Sequence, residues 1–327
     1  MTGAEKYSTK YKDRIENVLE KNEDLNLRGY VNFLRDQAES TRFMYLSYIE
    51  RFLRTCNKKA TELNLDDYIG YLAEIDSRSS SYQIAVYSAM KLYSSYLYAS
   101  GVSARDFMEK VSRPKAVESL KTKEKRDKGY LTEKEIGVYL DSVKLGAGSD
   151  RAVSRQEKWR LRDMLIIQLF LNTGMRCSAL YRLDVDSLDF ENNTIKTIDK
   201  GREIHEFYML DHIAELAKSW IIDREKKLEG RRESALFISN ARTRMDNSSI
   251  ARVVKKYAED IGGKNITPHK LRATYGTLLY EKTKDIYFVQ KCMNHKSPKV
   301  TELYIRGQDQ SNRKRGAEIM SKLTKTK

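Results

Sequence analysis

Only four histidines occur in the 327-residue chain, and two of them, His269 and His295, fall in one stretch, HKLRATYGTLLYEKTKDIYFVQKCMNHKSPKVTELYI, which also carries Arg272 and Tyr304. These residue types have complementary abilities. A guanidinium forks onto two oxygens of an anion and keeps its charge at any working pH. An imidazole changes protonation near neutrality. A phenol is an oxygen nucleophile only with help, because with a pKa of about 10 roughly one in a thousand is ionised at pH 7. Such a set suits attack of a hydroxyl on an anionic centre, provided the fold brings the side chains together.

The local sequence supplies elements that could do so. Thr267-Pro268 reads as an N-cap followed by proline at the first helical position, which puts His269 and Arg272 one turn apart on one face. DIYFVQKCM reads as a second short helix ending at Asn294-His295, and Ser297-Pro298 repeats the cap-plus-proline device ahead of Tyr304. The apolar positions Leu271, Leu278, Val289, Val300 and Leu303 give these helices a face to bury. Upstream, EKWRLRDMLIIQLFLNTGMRCSALYRL reads as an apolar helix stopped at Thr173-Gly174, with a second helix beginning near Arg176. NTIKTIDKGREIHEFYML alternates and breaks at Asp199-Lys200-Gly201, the pattern of a β-hairpin with Lys200 in its turn.

Arg176 in TGMR, His269-x-x-Arg272, His295 and Tyr304 together resemble the Arg–His–Arg–His–Tyr set of the tyrosine recombinase (phage-integrase type) family. The spacing agrees: 23 residues from Arg272 to His295 and nine from His295 to Tyr304. HxxR alone is commonplace, and Tyr304 alone is one of 21 tyrosines; the ordered set carries the resemblance. It implies that Tyr304 attacks a DNA phosphodiester and stores the bond as a 3′-phosphotyrosine. It also implies that Arg176 and Arg272 stabilise the phosphate oxygens, that His269 handles the proton near the Tyr304 hydroxyl, and that His295 bonds the phosphate. Lys200 would protonate the departing 5′ oxygen, with Lys196 and Arg202 competing for that role. No metal or other cofactor is implied, and no glycine loop suggests ATP. Two departures stand out: Ala179 where the family usually has Glu or Asp three residues after the first Arg, and Asn294 in place of the glycine before the second His. Asp184 and Asp186 lie further along as substitutes for the missing acid. His205 and His212 lack the spacing and read as strand-surface and helix-start residues.

Composition sets the frame. Lys and Arg outnumber Asp and Glu by 61 to 46, a net charge of +15, and a polyanion is the usual partner of such a surface. Apolar content of 40% with three prolines reads as globular and helix-rich, and the length favours two domains. No apolar run approaches the length of a membrane span, and MTGAEKYSTKYKDR carries no signal-peptide core. Cys56, Cys177 and Cys292 are odd in number and far apart, which argues for a reducing compartment, so the expected location is cytoplasmic and associated with DNA.

The fold expected is mainly α. Residues 1–112 form a helical module, in layout the family's core-binding, DNA-binding domain, with Leu27, Tyr30, Val31, Leu34, Tyr45, Ile49 and Phe52 in its core and Ser40 or Thr41 capping its second helix. Residues 113–128 form a basic joint in which Lys121, Lys123, Lys125, Arg126 and Lys128 are candidates for the DNA backbone, as is Arg202 in the hairpin. Residues 129–327 form an α-rich catalytic domain with a small antiparallel sheet, a Thr132/Glu135 capping box at its start, an Asp211 cap further on and a basic C-terminal tail. The implied partners are double-stranded DNA and further copies of the chain, a dimer on one site and a tetramer in synapsis, with an accessory DNA-bending or directionality protein as a third class. The implied reaction is site-specific recombination: integration, excision or resolution. The alternatives are a silent DNA-binding relative, which Ala179 would favour, and a type IB-like topoisomerase.

Overall fold

The computed structural model describes residues 3–115, 129–198, 204–258, 261 and 264–294. The chain divides into two compact units, 1–120 and 121–327.

The first unit is helical: α1 (Gly3–Lys21), α2 (Arg28–Phe33), α3 (Glu39–Cys56), α4 (Leu65–Glu74) and α5 (Ser80–Ala99). Leu27, Tyr30, Val31, Leu34, Ile49 and Phe52 are buried as the spacing predicts, while Tyr45 is half-buried. One helix start in this unit differs from expectation. Ser40 and Thr41 lie inside α3, whose N-cap is Ala38 with no side-chain bond; Glu39 in the first turn meets the positive end of the helix instead. At α4 the cap is complete, because Asn64 accepts from Asp66 and Asp67 while Asp67 reaches back to the Asn64 amide at 3.0 Å. After α5 the chain folds back along that helix: Tyr87 donates to the Val111 carbonyl at 2.7 Å, and Asp106 accepts from Ser94 at 2.5 Å and Ser95 at 2.7 Å.

The second unit is built around α8 (Arg160–Thr173), whose Leu165, Ile166, Ile167, Leu169 and Phe170 are fully buried. A helix apolar on every side must be covered on every side. Its cover comes from α6 (Glu133–Leu145), α10 (Asp211–Leu228), α11 (Asn247–Lys256) and α12 (Pro268–Thr283). The shorter helices are α7 (Asp150–Glu157), α9 (Cys177–Leu180) and α13 (Ile286–Cys292). The hairpin is present as β2 (Thr194–Ile198) and β3 (Ile204–Tyr208), in register from Thr194 opposite Tyr208 to Ile198 opposite Ile204. A two-residue strand, β1 (Leu188–Asp189), pairs on the far side of β2 and completes an antiparallel sheet of order β1-β2-β3. Lys200, Arg202 and the turn that holds them lie outside the described residues, as do Lys121, Lys123, Lys125, Arg126 and Lys128.

Thr132 and Glu135 form the anticipated capping box on α6. Asp211 does not cap α10. The cap is Leu210, without a side-chain bond, and Asp211 accepts from Asn193 at 3.1 Å, tying the helix start to the sheet turn. No helix among the described residues is long and apolar enough to cross a membrane.

Candidate active site

The site begins where α8 ends. Gly174 closes that helix with φ +58, and a Cβ built there would stand 2.3 Å from the Tyr275 ring. Glycine is therefore required twice, for the left-handed backbone and for the aromatic lying against it. The chain leaves in extended conformation, and Arg176, at φ −71 and ψ 148, is the N-cap of α9. A stop, an extended residue and a restart set Arg176 half-buried at the corner.

Helix α12 brings the second pair. Thr267 caps it by accepting from the Lys270 amide, and Pro268 takes the first position, where its missing N–H costs nothing. Arg272 turns inward and is only 5% exposed, whereas His269, one turn earlier, is exposed. A buried guanidinium must find acceptors. Arg272 donates from Nη1 to the Gly174 carbonyl and from Nη2 to the Met293 carbonyl at 2.5 Å. Arg176 donates from Nη2 to the Asn294 carbonyl at 3.4 Å. Two guanidiniums from distant parts of the sequence thus meet on consecutive carbonyls at the end of α13, immediately before His295.

That end is shaped by Asn294, which sits at φ +51. Asparagine is the residue after glycine that best tolerates this region, so Asn294 can make the turn that the expected glycine would make. Helix α13 starts cleanly, with Asp285 accepting from the Tyr287 and Phe288 amides at 2.9 and 3.0 Å. Its last residue, Cys292, hydrogen-bonds Tyr275. Burial pushes the Tyr275 phenol up to about 12 and raises the Cys292 thiol as well, so both stay neutral at pH 7.

Partial burial, and then the Arg272 charge, hold the His269 imidazole below the usual histidine range although its ring reaches solvent. It is neutral at pH 7 and able to accept a proton.

Of the sequence-predicted residues, the structure brings Arg176 and Arg272 together at residues 174 and 293–294, with His269 one turn before Arg272 on α12. His295 and Tyr304 lie outside the described residues. Ala179 is buried at 4% exposure. Asp184 is committed elsewhere, accepting from Arg244 and Ser234, and Asp186 is exposed. Backbone carbonyls hold the guanidiniums here. Sequence reading passed over Tyr275 and the carbonyls of Gly174, Met293 and Asn294. The first is legible only once α12 is laid on α8, and carbonyls carry no residue signature. His205 is a strand residue opposite Thr197, and His212 lies exposed in the first turn of α10. Among the described residues no group of three or more His, Cys, Asp or Glu is placed to hold a metal ion.

Residues 150–311 match the model of the phage integrase family. Tyrosine recombinase XerS of Streptococcus pyogenes serotype M5 (strain Manfredo) is 32% identical over 208 residues, 61% of this chain and 58% of the relative. The chain thus matches less than two thirds of the length of its curated relatives. Among solved structures, the fold is similar to that of the XerH site-specific recombinase bound to palindromic difH substrate in a post-cleavage complex, with a TM-score of 0.66 at 21% identity over 86% of this chain and 79% of the other. It is also similar to a lambda integrase dimer bound to a COC′ core site, with a TM-score of 0.58 at 16% identity over 88% and 94%. Arg176, His269 and Arg272 all fall within residues 150–311, the span that matches the phage integrase family model.

Proposed function

We propose that the chain is a site-specific DNA recombinase that cuts and rejoins DNA through a 3′-phosphotyrosine. One observation carries the reading: Arg176 and Arg272, 96 positions apart in sequence, converge on the two carbonyls that precede His295. A pair of guanidiniums preorganised in this way suits the two non-bridging oxygens of a phosphodiester, whose charge grows in the transition state.

In the step proposed, the Tyr304 oxygen bonds to phosphorus and the bond from phosphorus to the 5′ oxygen breaks. The phenol proton passes to neutral His269, and the leaving oxygen takes a proton from Lys200. His295 adds a hydrogen bond to the phosphate. Rejoining reverses these transfers when the 5′ hydroxyl of another strand attacks and Tyr304 departs. The 1–112 module and the joint at 113–128 would supply backbone contacts, through Lys121, Lys123, Lys125, Arg126 and Lys128, that hold the DNA against the 129–327 domain; Arg202 would do so from the hairpin. The solved relatives bind a palindromic difH substrate and, as a dimer, a core site, which supports an inverted-repeat target with one protomer on each half and a tetramer joining two such sites. The natural setting of such an enzyme is the cytoplasm, on DNA.

The test needs no known site. The protein is mixed with fragmented genomic DNA, denatured, and the DNA covalently attached to it is recovered and sequenced, with Tyr304→Phe in parallel. Tyr304-dependent adducts stacked at a few positions are expected. Scattered adducts would point to a topoisomerase, and binding without adducts to a silent relative.

A further inference from the structure

The chain enters the second unit over residues 129–135, and this short segment is fastened to α12, the helix that carries His269 and Arg272, at points spread along its length. The central fastening is buried. Leu131, with no exposed surface, donates its backbone N–H to Thr274 Oγ1 at 2.9 Å, and Thr274, equally buried, donates the hydroxyl proton to the Lys270 carbonyl at 2.9 Å. Lys270 lies between the two site residues. A single hydroxyl therefore joins the entering segment to the turn that holds His269 and Arg272.

Further bonds flank it. Ahead of α12, Lys264 donates to the Tyr130 carbonyl at 3.3 Å and pairs with Glu135 at 2.6 Å. Towards its far end, Glu281 accepts from the Tyr130 hydroxyl and Lys282 pairs with Glu133 at 2.7 Å. The pair at Lys282 is exposed and weak. The bond through Thr274 is a different matter, because without it the Leu131 N–H is buried with no acceptor. Each of these contacts adds a restraint between residues 129–135 and the region of α12.

We propose that residues 129–135 are a strap and Thr274 a positioning residue, through which that segment sets the placement of His269 and Arg272 for strand cleavage. The proposal rests on the recombinase reading for its chemistry, and on the contacts above for its mechanics. Slack in the strap lets the first turn of α12 drift, and displacements of this order at a reacting centre are expensive in rate.

The test uses the full chain with Thr274→Val, which keeps the shape and deletes the hydroxyl, Thr274→Ser, which restores it, and Lys264→Met, which removes the flanking bonds. Two readouts are taken. Native-state hydrogen exchange over 129–135 and 267–273 reads the strap without any requirement for activity, and Tyr304-dependent adduct formation on genomic fragments reads its effect. Thr274→Val is expected to speed exchange in both segments and to slow adduct formation by about tenfold with unchanged DNA binding. Its pH–rate midpoint should move up towards that of a free histidine as His269 loses its setting. Thr274→Ser should recover wild-type behaviour, and Lys264→Met should show a shift of about two- to threefold in the same direction. Unchanged exchange in the valine variant overturns the strap. Faster exchange with an unchanged adduct rate overturns the positioning role. A wild type that forms no Tyr304 adduct overturns the recombinase reading, and with it the cleavage half of the proposal, while exchange still decides the strap.

Discussion

The two units solve the problem of a polar interior in opposite ways. In the first, the large buried groups are aromatic: Tyr30, Tyr68, Tyr71 and Tyr93 are at most 2% exposed, and burial raises the pKa of each phenol, so they stay neutral. Tyr30 and Tyr93 meet edge to face at 5.0 Å, and the Tyr30 hydroxyl donates to the Ala89 carbonyl at 3.1 Å. In the second, full charges are buried. Arg162, Asp163, Arg224 and Arg272 are each at most 5% exposed.

Desolvating a guanidinium is costly unless acceptors surround it, and here backbone carbonyls do so alongside a neighbouring carboxylate, Asp163 for Arg162 and Glu225 for Arg224. Arg224 holds the Ala235 carbonyl at 2.8 Å, and Arg162 the Ile238 carbonyl at 2.9 Å. Both brace the segment at 233–238 and stay within the fold. Arg272 uses the same chemistry on Gly174 and Met293, yet it lies beside half-buried Arg176 and exposed His269, where a ligand can reach the group. Burial of charge is thus a general building method of this unit, and at Arg272 it serves the candidate site. Where the first unit is glued, the second is pinned.

The contrast can be attacked from its strongest point downward. Arg272→Lys keeps the charge but loses the fork, and should cut Tyr304 adduct formation by a hundredfold or more, on the order of 3 kcal/mol, while leaving DNA binding nearly intact. Retained cleavage would remove Arg272 from the chemistry and make it a pin like Arg224. Gly174→Ala forces a side chain into left-handed backbone and into the Tyr275 ring, so thermal unfolding of the second unit should reveal a loss of about 3 kcal/mol, together with weaker cleavage. A stable, active alanine variant would mean that the turn is not as tight as its geometry.

Arg224→Met abandons the Glu233 and Ala235 carbonyls, and should cost about 2 kcal/mol by denaturant titration with adduct chemistry unchanged at temperatures where the protein is folded. Loss of activity without loss of stability would blur the line between pin and site. The smallest effect belongs to the first unit, where Tyr30→Phe removes one hydrogen bond worth about 1 kcal/mol and should lower only that unit's transition.

Acidity offers a separate handle. His269 titrates below the ordinary histidine value in the fold, so between that value and the lower folded one the unfolded chain binds the extra proton and the native chain does not. Stability from this group is complete above about 6.5 and is lost as pH falls through the folded pKa. Adduct formation should decline over the same range as the imidazole becomes charged and stops accepting the Tyr304 proton. His269→Gln should flatten this acid limb of the pH–rate profile, and a limb that survives would belong to another group.

Local signals were legible where local interactions decide. The Thr132/Glu135 box, the Thr267-Pro268 start of α12, the Gly174 stop and the alternation of the hairpin each rest on residues within a few positions of one another. The same rules misjudged Ser40, Thr41 and Asp211, because a polar side chain near a helix start has other partners to choose from; Asp211 takes Asn193. Strand β1, only two residues long, exists because β2 offers it a ladder, and nothing in Leu188-Asp189 announces it.

The sequence by itself determined the residue types, their order and spacing, the caps and breaks that start and stop the helices bearing Arg176, His269 and Arg272, and the excess of positive charge. Tertiary structure alone decided that Arg272 points inward and His269 outward, that Tyr275 lies on Gly174, that both guanidiniums donate to carbonyls at 174, 293 and 294, and that Thr274 ties the entering segment to the helix beside them. The physical reason is range. Caps and turns are settled by atoms a few residues apart, whereas a buried guanidinium is stabilised by whichever oxygens the packed core brings within about 3 Å, and every residue in the chain carries such an oxygen.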